Sequence, residues 1–224
     1  MSNEVLFVIM AAVGLIFTLL SFRLGLSWLY AYVAVAIILA NVFVTKQITL
    51  FGLSATGGNV MYATIFLATD LLSEHYGKSY ARTAVFIGFF AAIIYLVMSQ
   101  FMVRFVPADY DTVQTGMQSI FSFAPRIILA SLTAYLLSQL HDVWMFHLIK
   151  EKTGGRKLWL RNNGSTWLSQ LIDSLTFSLV AFAGTFEWGV VVQIILSTYI
   201  LKVIIAALDT PFIYLSYRFK PIQL

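Results

Sequence analysis

Long apolar runs broken by short polar stretches set the pattern of this chain. Seven apolar segments can be traced, at roughly 5–22, 27–45, 58–75, 82–105, 124–149, 166–186 and 189–217. A helix needs about 20 residues to cross the hydrocarbon of a bilayer, so each segment predicts a membrane span. The third segment is the weakest. Asp70 and Glu74 interrupt it, which predicts a short or partly unwound helix. Their spacing puts both carboxylates on one helix face, one turn apart. Like charges there repel, so the pair does not serve helix stability. A carboxylate near hydrocarbon is costly and usually marks a substrate or ion path. For Glu74, close to Lys78 and Arg82, a solvated helix end is the plainer alternative.

The polar stretches carry charge asymmetrically. Arg23 follows the first span, Lys78 and Arg82 the third, Lys150, Lys152, Arg156, Lys157 and Arg161 the fifth, and Arg218 and Lys220 the seventh. The alternate loops, 48–58, 107–123 and the one at Glu187, are poor in Lys and Arg. This alternation predicts seven spans, with the amino terminus outside and the carboxyl terminus in the cytoplasm. The first run lacks a basic leader, having Glu4 instead, and reads as a retained span, not a signal peptide. Trp28, Tyr30, Tyr76, Tyr80, Trp159, Trp188 and Tyr217 sit near span ends, where aromatic rings anchor at the interface. Gly57-Gly58 and Gly154-Gly155 mark turns.

Composition agrees. The chain is 60% hydrophobic and 11% charged, with mean hydropathy +0.86, against about 25% charged residues in soluble domains. All 224 residues read as a single membrane domain with no room for a sizeable soluble one. The net charge of +4 reflects loop topology and not nucleic-acid binding, and the absence of cysteine excludes disulfides and thiolate-bound metals.

Several polar residues fall inside spans. Ser138-Gln139-Leu140-His141-Asp142 recurs as Ser169-Gln170-Leu171-Ile172-Asp173, with Phe146 and Phe177 each four residues beyond the Asp. With spans at 124–149 and 166–186, both acids fall roughly 10 Å from the cytoplasmic end. Two Asp–Gln sets would then face each other at one depth, as in the inverted repeats of transporters; helix packing by Ser and Gln hydrogen bonds is the alternative. Lys202 lies near the middle of the seventh span, with Asp209 and Pro211 further in. A buried Lys needs a partner, and Asp142 and Asp173 are the candidates. In the second span, Asn41 is the better site candidate, while Lys46 is placed to snorkel. The small-residue face Ala36–Ala40 could dock a partner subunit or simply pack helices.

Enzyme chemistry has little footing. H-E-x-x-H, G-x-S-x-G and P-loop patterns are absent, and His75, His141 and His147 form no ligand cluster by spacing. The Gly-x-Gly-Asp expected of an intramembrane aspartyl protease is also absent.

Phe66-Leu67-Ala68-Thr69-Asp70-Leu71, Gly77, Ala81-Arg82, Ala134-Tyr135, Gln139, Asp142-Val143, Ser165-Thr166, Asp173, Tyr199, Lys202-Val203 and Pro211 together resemble the signature of the queuosine-precursor transporters, also called the vitamin-uptake-transporter family. The resemblance spans about 27–217. It implies an all-α polytopic fold: a six-helix core similar to the substrate-binding subunits of energy-coupling-factor vitamin transporters, with residues 1–25 as one additional helix. It also implies import of 7-deazaguanine precursors such as 7-cyano-7-deazaguanine or its 7-aminomethyl form. No cofactor and no ATPase module are expected, and a homodimer is compatible with the sequence but not demanded by it.

The residues suit such a cargo. A deazaguanine offers ring N–H and amine donors beside a carbonyl acceptor, and carboxylates and amides match that edge. The expected site is Asn41, Phe66, Asp70, Glu74, Tyr135, Gln139, Asp142, Gln170, Asp173 and Lys202, with Tyr62 and Phe177 as further stacking options. It is expected near mid-membrane to the cytoplasmic half, with Lys202 neutralising the acids when empty. The binding subunit of an ATP-driven assembly, a carrier of another polar heterocycle, and an intramembrane hydrolase stay open as alternatives.

Overall fold

The computed structural model describes residues 2–122, 125–219 and 221; Phe123, Lys220 and the start of the expected fifth span at 124 lie outside them. In chain order the elements are α1 (Asn3–Leu24), α2 (Leu26–Phe43), β1 (Gln47–Leu50), β2 (Leu53–Thr56), α3 (Asn59–His75), α4 (Lys78–Arg104), α5 (Gln114–Phe121), α6 (Pro125–Lys152), α7 (Leu158–Phe182) and α8 (Trp188–Ser216). Each expected span has its helix. Gly25 and Gly77, at φ 112° and 102°, make the tight breaks that part α1 from α2 and α3 from α4.

Polarity runs inside out relative to a soluble protein. Phe86, Phe90, Ile94 and Phe101 of α4, and Leu196, Ile200 and Ile204 of α8, point outward, while Asp70, Gln139, Asp142, Asp173, Lys202 and Asp209 are buried. Such a surface suits lipid as solvent, because lipid gives no hydrogen bonds and polar groups must turn inward. Among the described residues, α1, α2, α4 and α8 are long and apolar enough to cross a membrane. The 17-residue α3 and the polar α6 and α7 are not among these, and they carry most of the buried polar groups.

Three features differ from the expectation. The fold is not purely helical: β1 and β2 form an antiparallel hairpin, Gln47 opposite Thr56 and Leu50 opposite Leu53. Its two-residue turn, Phe51-Gly52, has positive φ at both positions, the twist that tight hairpins favour. Alternation in Ile48, Leu50, Leu53 and Ala55 lets the hairpin pack its apolar face into the cluster formed with Phe7, Ala11, Leu201 and Ile205. The second difference is α5, a short helix inside the expected loop at 107–123. The third is that α7 begins at Leu158, eight residues before the expected 166. Its first turns are polar and so read as loop, yet Arg161 and Asn162 are buried.

Small residues set the closest approaches. A Cβ on Gly58 would meet the Ala40 carbonyl oxygen at 2.4 Å, and one on Gly88 would meet the Tyr135 hydroxyl at 2.1 Å. Ala36 and Ala40 are buried inside the molecule, so they hold α2 in the bundle and offer no docking face for a partner subunit. Gly58→Ala is expected to force α2 and α3 apart at a backbone contact, at a cost of about 1–3 kcal/mol. A lowered midpoint of thermal unfolding in detergent would register it.

Candidate functional site

One cavity of about 500 Å³ enters the bundle from the hairpin side, within the size range of small-molecule sites. Gln47, Ser119 and Ser122 line it and are exposed, marking its rim. Its walls come from α2, α3, α6, α7 and α8, and Asp173 and Lys202 line its deep end.

Asp173 is the hub of that end. The Tyr62 hydroxyl donates to its Oδ1 at 2.6 Å and Ser138 Oγ to the same oxygen at 3.3 Å. Lys202 Nζ pairs with Oδ2, and both side chains are buried. The ammonium also lies 4.9 Å from the Tyr62 ring centroid, which adds a cation–π attraction. Four helices thus meet on one carboxylate: α3 through Tyr62, α6 through Ser138, α7 through Asp173 and α8 through Lys202. Asn41, Asn59, Ser131, Ser197 and Thr198 supply polar wall, and Phe177 and Phe182 apolar wall.

Below this hub lies a second polar layer. Asp70 of α3 faces Asp142 of α6, with Asp209 of α8 near both. Thr166 Oγ1 donates to Asp70 Oδ2 at 3.4 Å, and Asn162 Nδ2 to Asp209 Oδ1 at 2.7 Å. Asp142 lies beside Ser165 and Ser169. Thr69 donates to Gln139 Oε1 at 3.3 Å.

A clasp closes the opposite end. Arg161, 2% exposed, holds Glu74 with two bonds, Nε to Oε2 at 2.9 Å and Nη2 to Oε1 at 2.7 Å. Lys150 pairs with the same carboxylate at 3.1 Å and the Tyr217 hydroxyl donates to it. His75 bonds Ser216 at 2.7 Å alongside.

The expected site residues therefore divide into three levels. Asn41, Asp173 and Lys202 line the cavity. Phe66 and Tyr135 are buried behind it, each packed edge-on against Tyr62. Asp70, Gln139, Asp142 and Gln170 belong to the buried layer beneath, and Glu74 is on the clasp, paired with Lys150 and Arg161 and not with Lys78 or Arg82. The cavity opens on the hairpin side, at the end of the bundle opposite the clasp. The early start of α7 corrects the single depth expected for the two Asp residues. Asp173 sits about 22 Å along α7 from Leu158, at 1.5 Å per residue. In the antiparallel α6–α7 pair, Asp173 meets Ser138 while Asp142 lies beside Ser169. The Ser–Asp repeat is thus a local two-fold, with each Asp set against the other copy's Ser, one turn apart in depth. The cavity residues Asn59, Ser131, Ser197 and Thr198 and the buried Asn162 escaped the sequence reading, since isolated small polar residues carry no spacing signal; a polar run opening a helix, as in Arg161-Asn162-Asn163, was the one available clue.

Removing Lys202 leaves a buried acid uncompensated. Lys202→Met is expected to destabilise the protein by about 3–5 kcal/mol, and the double variant with Asp173→Leu by much less. Thermal unfolding of the two singles and the double in detergent checks this, and equal loss in single and double would contradict it.

A family model described as "Putative vitamin uptake transporter" matches residues 56–216. The chain is 40% identical over 223 residues, 99% of its length and 97% of the relative's, to "Probable queuosine precursor transporter" of Bacillus subtilis (strain 168). It is 30% identical over 161 residues, 70% of its length and 69% of the relative's, to "Queuosine precursor transporter" of Escherichia coli (strain K12). No solved structure matches it. Apolar helices turned outward around a buried polar interior make this a multi-pass membrane protein, and the extent of these matches places the chain in the vitamin uptake transporter family.

Proposed function

We propose that the protein imports 7-deazaguanine precursors of queuosine, such as 7-cyano-7-deazaguanine or the 7-aminomethyl form, across the cytoplasmic membrane. The near full-length likeness to a queuosine precursor transporter carries the reading. The amino terminus and hairpin face outside and the carboxyl terminus faces the cytoplasm, as the basic loops indicate. In this reading α1 is an addition to a six-helix core, the carrier works without an ATPase module, and it is not an enzyme.

The cavity is then the outward-facing cargo site. A guanine-like edge presents two adjacent donors, and Asp173 is the acceptor at the deep end, competing there with Lys202 and Tyr62. Asn41 serves the carbonyl side of the ring. Tyr62 and Phe177 sandwich its faces. The Glu74–Arg161 clasp keeps the cytoplasmic end shut in this state. Import requires the ends of α3, α6, α7 and α8 to part there while the outer walls close, which is alternating access around a site near mid-membrane.

The test is uptake of labelled 7-cyano-7-deazaguanine into proteoliposomes that hold only this protein. Wild type should take up label. Asp173→Asn should lower uptake by roughly 30-fold or more, the cost of losing one member of a buried, hydrogen-bonded charge pair. Full uptake by the variant would move the site. Tight binding without uptake would point to an energising partner.

A further inference from the structure

Three carboxylates sit beneath the cargo cavity with no cation among them. We propose that Asp70, Asp142 and Asp209 form a proton-holding site, separate from the cavity, whose loading and release drives the carrier. The proposal rests on the transport reading and adds its energy source.

The argument begins with unmatched acceptors. Asp70 Oδ1, both Asp142 oxygens and Asp209 Oδ2 are buried and make no hydrogen bond of good geometry, although the hydroxyls of Ser165, Thr166 and Ser169 lie around Asp142. Asn162 Oδ1 makes none either, although its own amide nitrogen is fixed on Asp209 at 2.7 Å. Asn162 is fully buried. Its carbonyl oxygen is thus buried with no donor to meet it. Unpaired buried acceptors are costly, and three adjacent charges of one sign in a low-dielectric interior cost far more. Protons answer both problems. Each one placed on a carboxylate removes a charge and creates an O–H donor for a neighbouring orphan. Asp70 and Asp142, side chain to side chain, are positioned to share one.

No other charged group does this work. Lys202 is committed to Asp173, and Lys150 and Arg161 to Glu74. His141 of α6 bonds Ser169, His75 of α3 bonds Ser216, and His147 lies toward Lys150 and Lys78. α1, α2 and α4 carry charged residues only near their ends: Glu4, Arg23, Lys78, Arg82 and Arg104. Among the described residues, no group of three acid or His side chains is arranged to hold a metal ion.

The location suits coupling. The local two-fold of α6 and α7 puts Asp142 one turn below Asp173, and Gln170, buried with both amide atoms unpartnered, lies between Ser169 and Asp173 on α7. Asp70, Asp142 and Asp209 lie on three of the four helices that also close the cytoplasmic clasp. Opening that clasp would wet the site and let a carboxyl lose its proton to the cytoplasm. Once the clasp has closed again and the cavity side has reopened, the carboxylate takes its replacement proton from outside. The step moves H⁺ alone, between a carboxyl oxygen and water on either side.

Two readouts decide it, both on the full chain in lipid. Infrared spectra at neutral pH should show a buried carboxylic-acid C=O band that shrinks in Asp70→Asn, Asp142→Asn and Asp209→Asn and persists in Asp173→Asn. In proteoliposomes holding a pH dye, 7-cyano-7-deazaguanine entry should acidify the lumen. Asp209→Asn should cut that acidification by about tenfold or more, while cargo exchange between loaded vesicles continues. A neutral-pH spectrum without the band, a band unchanged by all three substitutions, or cargo entry without acidification would each overturn the proposal. The infrared readout needs no cargo, so a wild type that ignores 7-cyano-7-deazaguanine would refute the cargo and still leave the band to decide the proton site.

Discussion

An ammonium and a carboxylate buried inside an apolar bundle can coexist only if they pair and the protein supplies further partners. Lys202 and Asp173 meet that condition because Tyr62 and Ser138 complete the carboxylate and the Tyr62 ring backs the ammonium. The rest of the architecture follows from it. The buried charged side chains, confined to α3, α6, α7 and α8, need neighbours that shield them from lipid, and α1, α2 and α4 are apolar enough to do so. Their outward faces carry Phe, Ile and Val where a soluble protein would carry charge. In lipid, burial of apolar area gives little help, so close packing at Gly58 and Gly88 and the hydrogen-bonded interior carry the fold.

Much of this was legible in the sequence. Each of the seven apolar segments coincides with one of the eight helices, and Asp70, Asp142, Asp173 and Lys202 stood out because a charge inside such a segment has no other place to hide. Lys202 found one of its two expected partners. What was not legible depended on pairing between distant segments. Glu74 read as the end of a span near Lys78, since nothing local signals that Arg161, 87 residues away, is folded into a buried helix turn. The same misreading delayed the start of α7 and so misplaced the depth of Asp173. The hairpin escaped because four-residue strands carry little periodicity, although Phe51-Gly52 between alternating Ile, Leu and Ala was a fair sign of it.

The Ser–Asp repeat shows how a short sequence echo can be correct while its first geometric interpretation is not. Equal depth was inferred from segment ends, and those ends were wrong. Antiparallel packing gives another rule: residues pair when their positions sum to a constant. Ser138 with Asp173 and Asp142 with Ser169 obey it. One motif used twice thus yields two acids in two environments, one paired with an ammonium and one set among hydroxyls and a second carboxylate.

The clasp at Glu74 has a kinetic side. A carrier turns over no faster than its slowest rearrangement, and each 1.4 kcal/mol of barrier is about a tenfold loss of rate. Parting the helices at this end requires Arg161 to release a two-pronged partner in a dry setting, and Lys150 and Tyr217 to release it too. The bonds that hold this end together are thus also a brake.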